Sequence, residues 1–67
     1  MEKGTKVKTN DKYFKTFGRT SFGNVVFSYN DLFCIVNVTH QVGKVIPEHS
    51  GQEVAFLMKD LVKDISA

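Results

Sequence analysis

The stretch with the clearest chemical character is residues 12–22, in which cations alternate with aromatic rings. Its members are Lys12, Tyr13, Phe14, Lys15, Phe17, Arg19 and Phe22. Lysine and arginine pair with phosphates while exposed rings stack on bases, so this composition suits single-stranded nucleic acid. It suits contact with a protein groove equally well. We expect the binding residues, for RNA, DNA or a protein partner, to be Lys12, Tyr13, Lys15, Phe17 and Arg19.

Two histidines and one cysteine are the other side chains with chemistry near neutral pH. The spacing of Cys34, His40 and His49 matches no zinc pattern, so we expect no metal. Histidine is the usual general base near neutral pH, which leaves a small histidine-dependent nuclease as an alternative. The sequence has no glycine-rich phosphate loop and no paired catalytic carboxylates. We therefore predict a non-catalytic protein without a cofactor.

Charge is unevenly distributed along the chain, although the formal net charge is only +2. Residues 1–20 contain six basic and two acidic residues, whereas the remainder contains three basic and five acidic residues. This asymmetry predicts a basic end and a mildly acidic end.

The length of 67 residues predicts a single small domain, 1–67, near the lower limit at which one core suffices without a staple. A lone cysteine cannot form an internal disulfide, and we expect Cys34 to be a small buried hydrophobe. No apolar run is long enough for a signal peptide or a membrane span. These features favour a cytoplasmic protein with no membrane association.

A predicted hairpin of residues 24–29 and 32–38 is the element that must position everything else. Asn30 and Asp31 tolerate the positive φ of a two-residue type I′ turn, which fixes the register of the two strands. One apolar face then pairs Tyr29 with Leu32, Phe27 with Cys34 and Val25 with Val36. The other face pairs Ser28 with Phe33, Val26 with Ile35 and Asn24 with Asn37.

The segments around the hairpin give weaker patterns. Residues 4–10 suit a short edge strand, because lysines there discourage pairing with other chains. Residues 11–23 fit neither a helical nor a strand period and are expected to form a loop. Residues 50–65 fit either a helix with a Ser50–Glu53 capping box or a strand at 54–58, a helical turn at 59–61 and a last strand at 62–65.

Four short segments occur in a characteristic order: KGTKVK at 3–8, FGNVV at 22–26, CIVNV at 34–38 and EVAFLMKDL at 53–61. This order resembles that of a small SH3-like barrel of the KOW kind. The resemblance implies a mainly β fold of about five antiparallel strands, with 54–58 extended and the long first loop bordering the binding surface. Residues 39–49 are longer than the family's tight turn. That leaves room for an inserted hairpin or for an α+β fold, a three-stranded antiparallel meander with a C-terminal helix.

The sequence therefore predicts a non-catalytic interaction module that binds nucleic acid through residues 12–22. One alternative is a small bacterial or phage accessory protein that binds and modulates a protein partner. A purely structural alternative also exists for the aromatic residues, in which Phe14, Phe17 and Phe22 cover the open ends of a small barrel.

Overall fold

The computed structural model describes residues 1–65, which form five strands and one short helix. In chain order the elements are β1 (Lys6–Thr9), α1 (Asp11–Phe17), β2 (Arg19–Tyr29), β3 (Phe33–Gly43), β4 (Glu53–Leu57), a 3₁₀ turn (Met58–Asp60) and β5 (Leu61–Lys63). The strands form one antiparallel sheet in the order β4-β3-β2-β1-β5. The prediction of a mainly β fold is confirmed.

The C-terminal segment is extended, so the alternative with a C-terminal helix is wrong. β4 pairs with β3, and its Phe56 lies opposite Cys34. Alternation along the strand buries Phe56 at 5 % exposure and leaves Ala55 and Leu57 outside. A helix would have left Phe56 off its apolar stripe, whereas a strand places this ring in the core.

The prediction of a loop at residues 11–23 is wrong, because this segment contains α1 and the first part of β2. Asn10 caps the helix: its Oδ1 accepts a hydrogen bond from the Tyr13 N–H at 3.0 Å. Gly18 ends it with a φ of 75°, and its N–H donates to the Phe14 carbonyl at 2.7 Å. Seven residues make only about two turns, too few for a helical period to emerge.

β1 is a strand, as predicted, but it is not at the edge of the sheet. It pairs with β2 on one side and with β5 on the other. Val7, at 1 % exposure, points into the core, while Lys6 and Lys8 point to the opposite face. Within residues 1–65 the edge strands are therefore β4 and β5.

The register of the β2–β3 hairpin agrees with the prediction in its middle and differs at its tip. The turn has three residues rather than two, with Asn30 at a φ of 41° and its Oδ1 accepting from the Leu32 N–H at 3.0 Å. The tip pairs are Tyr29 with Phe33, Ser28 with Cys34 and Phe27 with Ile35. Val26 is then an extra residue, a β-bulge, beyond which Val25–Val36 and Asn24–Asn37 pair as predicted. The bulge turns Phe27 outward, to 44 % exposure.

A second bulge lies at Thr39, because Gly23 faces Val38 while Phe22 faces His40. The Thr39 hydroxyl donates a hydrogen bond to the Phe22 carbonyl oxygen at 3.1 Å. A Cβ atom at position 23 would lie 2.3 Å from the Asn37 carbonyl oxygen. Glycine is therefore required at position 23, because the backbone of β3 leaves no space there for a Cβ atom.

The core lies on the inner face of the sheet, with α1 packed against it. Its buried hydrophobic members are Val7, Tyr13, Val25, Cys34, Val36, Val38, Phe56 and Leu61. The predicted burial of Cys34 is confirmed, at 0 % exposure. No helix within residues 1–65 is long and apolar enough to cross a membrane.

Candidate functional site

Of the five binding residues predicted from the sequence, three are exposed and two are buried. Lys12 and Lys15 are exposed on the helix, and Phe17 is half exposed. Tyr13 is buried, with its ring centroid 5.7 Å from that of Phe56 and 4.4 Å from that of Phe17. Tyr13 is therefore a core residue, and its ring is not available for stacking on a base.

Arg19, the fifth predicted residue, is also buried. It is the first residue of β2, and its inward-facing side chain retains only 7 % exposure. The guanidinium carbon lies 5.7 Å from the centroid of the Phe17 ring, in the range of a cation–π contact. The Nε atom is buried without a hydrogen-bond partner. The Arg19 side chain is therefore largely buried beside the half-exposed Phe17 ring.

A second group of cations and rings lies on the outer face of the sheet. One row of cross-strand neighbours places Lys8 beside Phe22 and Phe22 beside His40. Cross-strand neighbours share a face, and here the Phe22 and His40 rings stack with centroids 4.4 Å apart and planes within 4°. Lys6 is two residues before Lys8 on the same face. We call Lys6, Lys8, Phe22 and His40 the basic face.

Neither ring of this stacked pair was among the binding residues predicted from the sequence. Phe22 belongs to the stretch at residues 12–22, whereas His40 reaches the same row only because of the bulge at Thr39. The Thr39 hydroxyl donates its one proton to the Phe22 carbonyl oxygen. The His40 Nδ1, which lies 3.1 Å from the same hydroxyl, therefore donates a hydrogen bond to the Thr39 oxygen. This contact holds the His40 ring in the orientation in which it stacks on Phe22.

Two shallow clefts flank Phe22, which lines both of them. The first, with a volume of about 330 Å³, is lined by Lys6, Gly23, Asn24, Thr39, His40 and Asp64. The second, of about 390 Å³, is lined by Lys8, Thr9, Asn10, Asp11, Thr20 and Val62. Each cleft thus combines the partly exposed Phe22 ring with one lysine, one carboxylate and neutral hydrogen-bonding groups.

The same outer face becomes apolar near the turn of the hairpin. Tyr29, Phe33 and Leu57 are cross-strand neighbours in one row, and Phe27 lies two residues from Tyr29. These four side chains are 38–57 % exposed, and the Phe27 and Tyr29 rings meet edge to face at 5.1 Å. We call them the tip patch. None of the four is charged.

The histidines occupy separate environments. The backbone N–H of His49 donates to the Gln41 Oε1 at 2.7 Å, and its Nδ1 is buried without a partner. Hydrogen bonds from the side chain and backbone of Ser50 lower the pKa of the neighbouring Glu48 carboxyl. The hydrogen-bond partners of His40 and His49 are Thr39 and Gln41, and across residues 1–65 no cluster of three metal-ligating side chains occurs.

Comparisons with protein-family models, with curated proteins and with solved structures find no match for this chain.

Proposed function

We propose that this chain is a non-catalytic module that binds single-stranded RNA or DNA across its basic face. The observation that carries the proposal is the stacked Phe22–His40 pair in one row with Lys8. An exposed aromatic surface attracts the flat faces of bases, and an adjacent ammonium group attracts the phosphate that accompanies each base. Nucleic-acid binding is the function predicted from the sequence, but we assign it to the basic face of the sheet rather than to the five residues predicted within 12–22.

The spacing of a β-sheet suits this role. Adjacent strands are about 4.8 Å apart, so the Lys8 ammonium group can reach a phosphate while the base lies on the neighbouring rings. Lys6 provides a second cation, and the Asn24 amide lining the same cleft can pair with base edges. Duplex bases are already stacked on one another, so a single strand is the better ligand for this surface.

We infer that the sheet curls into an SH3-like barrel of the KOW kind. Three features support this inference: the order β4-β3-β2-β1-β5, the long β2–β3 hairpin and the 3₁₀ turn between β4 and β5. In such a fold the outer face of β1 to β3 is continuous and open to a ligand.

Binding of short single-stranded RNA and DNA, and of a duplex of matching sequence, tests the proposed function at low and high salt. Phe22→Ala should weaken single-strand binding by about 1–3 kcal/mol through lost stacking, with little change in salt dependence. Phe27→Ala is the matched control, because it removes an exposed ring of β2 outside the basic face. Circular dichroism checks that both variants are folded. Absence of binding at low salt, or equal effects of the two variants, would eliminate the proposal.

The tip patch favours a second candidate function, protein binding by a small accessory protein. Exposed aromatic rings are typical anchors of protein interfaces, and the patch adjoins the edge strand β4, to which a partner strand could add. Tyr29→Ser combined with Leu57→Ser should abolish retention of a specific protein from nuclease-treated lysate, while Phe22→Ala should preserve it. Retention that survives the double change would contradict this function.

A further inference from the structure

We propose that Arg19 is the centre of a second binding site, for a phosphate group, where α1 joins β2. Arg19 lies on the inner side of β2 together with Ser21 and Val25, whereas Phe22 faces outward. The site is therefore separate from the basic face and does not depend on base stacking.

The first argument is the burial of an unpaired charge. A guanidinium group remains protonated in proteins, and burying it without an anion is unfavourable. The Arg19 side chain is only 7 % exposed, and its Nε is buried without a hydrogen-bond partner. Within residues 1–65 the Phe17 ring is the only partner found for this guanidinium. The contact with the Phe17 ring offsets only part of this cost. An anion from outside would supply the missing partner.

The second argument is that the Lys44 side chain lies at this corner of the molecule and that the last turn of α1, which ends here, contains a basic residue. The Lys44 side chain lies across Gly18, since its Cδ is 3.2 Å from the position that a Cβ would occupy there. The Lys44 N–H donates to the Gly18 carbonyl oxygen at 3.0 Å, and Gly43 pairs with Arg19. Lys15 is in the last turn of α1, whereas the acidic Asp11 is in its first turn. Positive charge is therefore concentrated at the C-terminal end of α1, whereas Asp11 lies at its N-terminal end.

Phosphate is the anion that matches this arrangement best. The planar guanidinium fork can donate two parallel hydrogen bonds to phosphate oxygens, and lysines add charge without a fixed geometry. A phosphate monoester carries about −1.5 to −2 charges near neutral pH, so it neutralises several cations more fully than a carboxylate does. Such a group occurs both as free phosphate and at the end of a nucleic-acid strand.

The Arg19 Nε–H resonance in nitrogen–proton NMR spectra reports directly on this site. Titration with inorganic phosphate should move the resonance saturably, whereas chloride at equal ionic strength should not, and acetate should move it less. The same oligonucleotide with and without a 5′-phosphate then separates the two sources. Tighter binding of the phosphorylated strand identifies a strand end, and equal binding with a response to inorganic phosphate identifies free phosphate. A resonance that phosphate leaves unmoved would overturn the proposal.

Variants provide the second readout. Arg19→Met should fold, because it replaces a buried charge with an apolar chain, and it should bind phosphate at least about tenfold more weakly. Lys44→Gln should weaken phosphate binding less and keeps the test available if Arg19→Met does not fold. Lys59→Gln, a change in the 3₁₀ turn, is the charge-matched control. Phosphate raises the melting temperature of many proteins non-specifically. An equal rise in the wild type and in Arg19→Met would therefore also refute the site.

Discussion

The basic face and the tip patch are two halves of one outer sheet surface, and both carry aromatic rings, yet only the basic face carries charge. The basic face combines Lys6 and Lys8 with a stacked ring pair, while the tip patch has exposed rings and no charge. The bulge at Val26 lies between them on β2 and reverses which residues point outward, even-numbered before it and odd-numbered after it. One extra residue thus lets a single strand present two different surfaces while the core remains closed.

Both halves depend on the pairing of Val25 with Val36, so its disruption should have the largest effect. Val36 is 2 % exposed, and Val36→Asp places an unpaired carboxylate in the core. We expect a loss of about 3 kcal/mol or more in the free energy of unfolding, enough to unfold a domain of this size. Urea denaturation measures this loss.

The matched control for this register is Asn37→Asp at the next position. Asn37 is exposed and faces Asn24 and Glu53, so the new carboxylate stays hydrated and meets only one like charge. A cost of about 0.5 kcal/mol is expected, as for most surface substitutions. Similar urea midpoints for the two variants would show that the inner and outer faces are assigned incorrectly.

Replacing each histidine in turn tests whether single-strand binding depends on the basic face or on the rest of the chain. His40→Ala removes the ring stacked on Phe22 and should weaken single-strand binding by about 1 kcal/mol. His49→Ala should leave affinity unchanged, because His49 lies outside the basic face. Binding titrations with one oligonucleotide measure both effects. Cleavage of the oligonucleotide that disappears in His40→Ala would instead support the histidine-dependent nuclease.

The hairpin shows how far the sequence could predict this fold. Alternation of apolar residues identified the Val25–Val36 pair correctly, because both side chains must be buried. The tip was misassigned because the three-residue turn shifts the register by one and the Val26 bulge shifts it back. Two compensating shifts leave no trace in the middle of the strands, so alternation alone could not reveal them.

The site was less predictable than the fold for a related reason. Asn10 and Gly18 are typical residues for helix ends, and together they could have identified α1 despite its short length. The inward direction of Tyr13 depends on how α1 packs, and that of Arg19 depends on where β2 begins; no local pattern specifies either of them. The Phe22–His40 stack depends on the bulge at Thr39, and a regular strand would have placed a different residue opposite Phe22.

The smallest expected effect concerns the lysines, and it tests whether the basic face is a specific path for phosphates. Lys6→Gln combined with Lys8→Gln should remove two phosphate contacts, so the slope of log affinity against log salt should flatten by about 1.4 for a single strand. Lys63→Gln is the control, because Lys63 pairs with the inward-facing Val7 and so lies on the opposite side of the sheet from Lys8. Its slope should remain that of the wild type.

If the control flattens the slope equally per charge, binding reflects the overall positive charge of the molecule and is not specific to the basic face. If affinity falls in the double variant while the slope is unchanged, the two lysines support the sheet rather than contact phosphate. Only a slope change confined to Lys6 and Lys8 separates the basic face from both the inner side and the tip patch.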